Sequence, residues 1–227
     1  MKKKGFTIVD HFPDRDNGDV GSSGFSAITV KDKEGKVHIS VRGTELTDFG
    51  DIGADMKLAV NRVPENQTKD LIAFMERNLK GLPAGEKIRL IGHSLGGALS
   101  QLGSVMYDDR VEETYTFNSP GAKKLSVDPK GYSRITHEKL EKYVNFGYNQ
   151  NDNTSVENRM VNVAGSKGPS IISNLGNDIG FYKIELKGLQ SHSITTLVQH
   201  VSNEKTELMV VDVRETDKIR PPNAIPR

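Results

Sequence analysis

Cysteine and tryptophan are absent from the 227-residue chain. Without cysteine there is no disulfide framework, no thiolate nucleophile and no cysteine-based metal site, which leaves the redox compartment open. No sign of charge dominates either: 31 Lys and Arg stand against 30 Asp and Glu, for a net charge of +1. With no basic stripe to neutralise phosphates, nucleic acid is not an expected partner. Mean hydropathy is -0.52, and no run approaches the roughly 18 apolar residues of a spanning helix, so a soluble chain without a transmembrane segment is expected. The opening MKKKGFTIVDHF starts like the basic part of a signal peptide, but Asp10 and His11 interrupt it before an apolar stretch develops. No Sec signal is expected, and a cytoplasmic destination or export by a non-Sec route both fit.

What the chain does have is an alternation of short apolar runs with helical periods. FSAITV (25–30) and KVHISV (36–41), joined by a glycine-bearing turn, predict a β-hairpin. Leu71, Ile72, Met75 and Leu79 fall on one face of a helix over 66–80, with Asn66 or Thr68 as N-cap. KIRLI (87–91) reads as a strand, and the segment after it repeats Leu95, Leu99, Leu102 and Met106 at helical spacing. Further on, strands are predicted at 114–118, 143–147, 159–165, 181–186 and 207–213, and helices at 133–143 and 192–203. Such alternation predicts a single α/β domain over 1–215, built on a mainly parallel sheet with helices on both faces and an N-terminal hairpin. The polar, proline-rich residues 216–227 read as a frayed end or a linker.

Between the strand at 87–91 and the helix after it stands Gly92-His93-Ser94-Leu95-Gly96, the pattern G-x-S-x-G. A serine hydroxyl is a poor nucleophile until a base removes its proton and donors stabilise the oxyanion that forms. In a nucleophile elbow the serine sits on a strained strand-to-helix turn, and small residues two positions to either side keep strand and helix from colliding. The helix that follows aims its free N–H groups and positive dipole end at the site. Strand before and helix after are both predicted here, which makes Ser94 the candidate nucleophile and His93 a packing residue. The bland alternative is a glycine-containing turn that happens to carry a hydroxyl.

A second stretch, VRGTELTDFGDIGADMKL (41–58), brings a strand into Arg42-Gly43-Thr44 ahead of that elbow. Taken with GHSLGGALSQL and TFNSPGA, it resembles the class 3 lipase family, which comprises fungal-type lipases and bacterial phospholipase A1-like esterases. The resemblance covers about residues 25–125 best. It implies an α/β-hydrolase fold and a serine ester hydrolase acting on lipid carboxylic esters without a cofactor or metal. By the same resemblance the oxyanion hole is formed by Thr44 and the Leu95 N–H, and a lid helix falls on 47–63. Leu46, Phe49, Ile52, Met56 and Leu58 then face either the core or a lipid surface, and Asp51 and Asp55 anchor the segment.

Enzymes of this fold order their triad Ser, acid, His, so the base belongs late in the chain. His137, His192 and His200 follow Ser94. His137 lies in a charged helical patch, whereas His192 stands at a loop-to-helix junction after a strand and is the first choice. An acid that fixes the imidazole tautomer belongs at a strand's carboxyl end. Asp152, just past the predicted strand 143–147, is preferred, with Asp178 as alternative. Where the acid-bearing strand of the family would place its Asp, this chain has Lys167 and Gly168. That departure keeps open a non-catalytic binding or scaffolding module on the same fold, and a thioesterase or peptidase is a further reading. Finally, DRDNGDVGSSG (14–24) resembles half of a calcium loop, but its glycine is out of register and no glutamate closes it, so a solvated turn is expected.

Overall fold

The computed structural model describes residues 5–13, 21–43, 62–123, 125–127, 133–148, 154–165, 178–180, 182–186, 193–201, 208–212 and 219–220. Within them nine strands form one sheet whose spatial order follows the chain. These are β1 (Thr7–Phe12), β2 (Ala27–Lys31), β3 (Val37–Val41), β4 (Ile88–His93), β5 (Val111–Phe117), β6 (Met160–Gly165), β7 (Tyr182–Leu186), β8 (Leu208–Asp212) and β9 (Ile219–Arg220). Strands β3 to β7 are parallel, while β1, β2, β8 and β9 pair antiparallel at the two margins. The helices are α1 (Glu65–Lys80), α2 (Leu95–Met106), α3 (Arg134–Tyr148), the single turn α4 (Thr154–Glu157) and α5 (Ile194–Val201).

Side-chain alternation along the strands separates the two faces. On one, Val37, Ile39 and Val41 of β3 and Ile88 and Leu90 of β4 are buried against Leu71, Phe74 and Met75 of α1 and Leu99, Leu102 and Met106 of α2. On the other, Val161 and Val163 of β6 and Tyr182 and Leu186 of β7 close on Leu197 of α5. Every residue of α2 is buried. It accordingly carries no charged residue, and its polar Ser100, Gln101 and Ser104 are buried with the rest. A mainly parallel sheet with helices on both faces, opened by a hairpin, is the predicted α/β-hydrolase architecture.

Three sequence expectations are corrected. The predicted strand 143–147 is the second half of helix α3. Its aromatic and β-branched residues suggested a strand, yet Leu140, Tyr143 and Phe146 recur every third residue and are all buried on one helical face. Helix α1 starts at Glu65 with Pro64 as N-cap, ahead of the expected Asn66 or Thr68; Thr68 is instead buried in the core face. Within the stretch expected to be a tail, Ile219–Arg220 adds a short strand beside β8. Strand β1, which sequence reasoning did not foresee, has a mostly exposed pattern with little alternation and is held by the Arg77 guanidinium on Asp10 at 2.9 Å.

Leu102 of α2 has no solvent exposure and belongs to the core shared with α1 and the sheet. Replacing it in Leu102→Ala is expected to cost about 2–5 kcal/mol of stability, read as a lower urea midpoint at unchanged m-value.

Candidate active site

Ser94 has φ 56° and ψ -132°, a conformation that L-residues with side chains rarely adopt. It joins the last residue of β4 to the first residue of α2. Three backbone hydrogen bonds over-determine it. Its N–H donates to Phe117 O at 3.0 Å, and its carbonyl accepts from Gly97 N–H at 2.8 Å and Ala98 N–H at 3.4 Å. The turn is sharp enough that strand and helix nearly touch.

Glycine makes that approach possible. A Cβ on Gly92 would run into the Gly96 carbonyl and the Gly97 Cα, and a Cβ on Gly96 would run into the Val41 carbonyl and the Arg42 carbonyl carbon. On the far side of the serine, a Cβ on Gly43 would stand 2.8 Å from both the His93 carbonyl oxygen and Ser94 Cβ. The loop leaving β3 therefore lies directly against the serine side chain. Because the first N–H groups of a helix lack intrahelical acceptors, the Leu95 N–H stands at the start of α2 beside this hydroxyl, where developing negative charge is favoured.

The structure thus brings together Ser94, Leu95 and the Gly43 backbone that precedes Thr44. Thr44, Asp152 and His192 themselves lie outside the described residues, as do Leu46, Phe49, Asp51, Ile52, Asp55, Met56, Leu58, Lys167, Gly168 and the loop 14–20. At the end of the expected lid, Val63 is buried and its N–H donates to Ser126 O at 3.0 Å. Strand β7 runs parallel to β4, so its last residue, Leu186, faces the same edge of the sheet as Ser94, and α5 resumes the chain one residue after Ser193. His137 is exposed and pairs with Glu141 at 3.4 Å, in keeping with the solvent-facing role expected of it. The strand whose carboxyl end was to carry Asp152 is helix, so the elements flanking that residue are α3 and α4.

Asp178 is described, and its surroundings are structural. It sits at the entry of β7, the opposite end of the parallel strands from Ser94. Its Oδ1 accepts from Gln101 Nε2 at 3.2 Å, and Gln101 lies two helical turns, about 10 Å, along α2 from Ser94. Gln101, wholly buried, also accepts from Ala122 N–H at 3.1 Å and Ile179 N–H at 2.9 Å through Oε1. Asn162 completes the group, donating to Ile179 O at 3.1 Å and accepting from Thr116 Oγ1 at 2.6 Å. Burial pushes the Asp178 carboxyl up to about 6, while the Lys183 ammonium and the Gln101 amide act in the opposite direction. Sequence reasoning missed this network because no motif marks Gln101 or Asn162. The special role of Asn118, read only as part of the strand 114–118 and of TFNSPGA, was missed as well: it directly follows β5 with φ 44° and no solvent exposure.

Among the described residues no group of three or more His, Asp or Glu could hold a metal ion, and no described helix is long and apolar enough to cross a membrane. A family model described as Mbeg1-like matches residues 7–147. No curated protein matches the chain. Among solved structures, a triacylglycerol lipase from Penicillium expansum is 14% identical at a TM-score of 0.37, over 82% of this chain and 71% of that one. Lip2 lipase from Yarrowia lipolytica is 13% identical at 0.39, over 80% and 65%. Carboxyl esterase 2 from the fungus Tuber melanosporum is 14% identical at 0.41, over 95% and 84%.

Two outcomes follow from this geometry. Gly96→Ala forces its methyl into the β3 backbone and is expected to abolish soluble folded protein or leave a chain melting well below wild type. Since the folded chain holds the Asp178 proton more tightly than the unfolded chain, with its pKa near 3.9, the group stabilises most below about pH 4, and that stability is lost as pH rises through about 6. Asp178→Asn should therefore gain about 1–2 kcal/mol over wild type at pH 7–8 and show a flatter dependence of the denaturation midpoint between pH 4 and 7.

Proposed function

This chain belongs to the Mbeg1-like family, and we propose that it is a serine ester hydrolase acting on lipid carboxylic esters. The observation that carries the reading is the backbone of Ser94: a left-handed serine between a parallel strand and a buried helix, with glycines where side chains would collide. Such strain persists only where surroundings enforce it, and in a nucleophile elbow what it achieves is to present the serine hydroxyl at the end of the sheet.

In the proposed mechanism Ser94 Oγ attacks the ester carbonyl while His192 Nε2 takes the hydroxyl proton. The tetrahedral oxyanion is held by the Leu95 N–H and by Thr44, which follows the Gly43 backbone packed on Ser94. Collapse breaks the ester C–O bond, and the alcohol leaves with the proton carried by His192. Water, deprotonated by the same imidazole, then attacks the acyl-enzyme and releases the acid. Asp152 is proposed to accept from His192 Nδ1 and fix its tautomer, with Asp178 the alternative; the packing of Asp178 against Gln101 argues for Asp152. A lipid ester, met at a membrane or micelle surface, is supported by the class 3 lipase resemblance of the serine and oxyanion segments. No cofactor enters these steps.

One observation favours a second reading. Strand β6 ends at Gly165, and the next residues are Ser166, Lys167 and Gly168, none of which can serve as an acid. A module that keeps the elbow but binds without turnover fits that sequence.

Incubation with a serine-directed phosphonate and with p-nitrophenyl esters of short and long chain separates the two. Stoichiometric labelling and hydrolysis are expected for wild type and neither for Ser94→Ala; an unlabelled wild type with no hydrolysis above buffer would establish the binding module. Asp152→Asn is expected to lower kcat on the order of 10⁴-fold, with Asp178→Asn close to wild type, and the reverse pattern would move the acid to Asp178.

A further inference from the structure

Two non-glycine residues among those described have a left-handed backbone, Ser94 and Asn118. They follow the carboxyl ends of neighbouring parallel strands, β4 and β5. At Ser94 the elbow accounts for it. Asn118 is not in the elbow, yet it holds its strain under complete burial, and asparagine is among the few residues with a side chain that tolerate this region.

What fixes Asn118 is a pair of bonds to the next strand. Its N–H donates to Val163 O at 2.8 Å, and its Oδ1 accepts from Gly165 N–H at 3.2 Å. One residue thereby ties the end of β5 to the last residue of β6. The residue before it, Phe117, takes the Ser94 N–H through its carbonyl at 3.0 Å. The residue after it, Ser119, lies against the first turn of α2, where a Cβ on Gly97 would stand 2.5 Å from the Ser119 side chain. The elbow, the start of α2 with its N–H groups, and the point where the chain leaves β6 are therefore laced through Asn118 and its two neighbours.

We propose that Asn118 is a positioning residue for the hydrolysis, locking the end of β5, whose Phe117 carbonyl takes the Ser94 N–H, to β6 and so fixing the elbow and the N-terminus of α2 in the sheet. The inference rests on the reading of Ser94 as nucleophile and adds to it a residue outside the G-x-S-x-G pattern. Chemistry selects the side chain. Glycine would accept the backbone angle but leave the buried Gly165 N–H without its acceptor, and alanine would supply neither the acceptor nor the tolerance. Aspartate keeps an acceptor at the same distance.

The test compares Asn118→Gly and Asn118→Asp with wild type, by steady-state hydrolysis of a p-nitrophenyl ester and by the rate of phosphonate labelling at Ser94. Asn118→Gly is expected to lose on the order of 10²-fold in kcat, the scale of an ångström-sized misplacement, with KM little changed and labelling slowed in parallel. Asn118→Asp is expected to recover most of that loss. If the glycine variant does not fold, Asn118→Ser takes its place with the same expectation, because its shorter side chain falls short of Gly165. Wild-type kcat in the glycine or serine variant, or an aspartate variant as slow as either, overturns the inference while leaving the labelled nucleophile intact. A wild type that is not labelled at Ser94 overturns the hydrolase reading and this inference with it.

Discussion

The close approach of three backbones around residue 94 is the constraint from which the rest follows. β4 must end, α2 must begin and the loop from β3 must pass within contact of the same serine, and no Cβ fits at Gly43, Gly92 or Gly96. Removing those three side chains lets the chain turn through a conformation that costs on the order of 1–3 kcal/mol. The cost is offset by burial of every residue of α2 against both neighbouring helices and the sheet. Helix, strand and strained turn form one unit, and the hydroxyl is held by the fold as a whole.

Polar groups complete what apolar packing begins. Gln101 and Asn162 between them bind the N–H and the carbonyl of Ile179, which fixes the entry of β7 against the middle of α2. Asn118 does the same at the other end of the sheet, with Val163 and Gly165. Buried polar groups of this kind add specificity of register more than bulk stability, since each would be costly if left unpaired. Register is what a site assembled from the ends of several strands requires, because its parts are far apart in sequence and meet only if neighbouring strands keep their offsets. Asp178 is the exception within the network, a carboxyl kept protonated toward pH 6 by its burial.

Legibility in the sequence tracked the range of the interaction. Ser94 and its glycines were visible because the elbow is a local steric problem, solved within five residues by residue types that can be read directly. Strands β4, β5 and β6 were visible through apolar runs at 87–91, 114–118 and 159–165, and helices α1 and α2 through their periods over 66–80 and from Leu95 to Met106. YVNFG misled because five residues fit a strand as well as a helix. Only the burial of Leu140, Tyr143 and Phe146 on one side decided for helix. With helix in place of that strand, Asp152 falls between α3 and α4, and its proposed role rests on the order Ser, acid, His and not on a strand's carboxyl end.

By itself, then, the sequence determined the elbow, the alternation of strands and helices and the two-faced sheet, since each depends on side-chain size and period along a short stretch. Tertiary structure alone decided the partners. That Gly43 lies on Ser94, that Asp178 belongs to Gln101 and that Asn118 reaches Gly165 are contacts across dozens of residues, and their geometry is set by strand order and register, which no local pattern encodes.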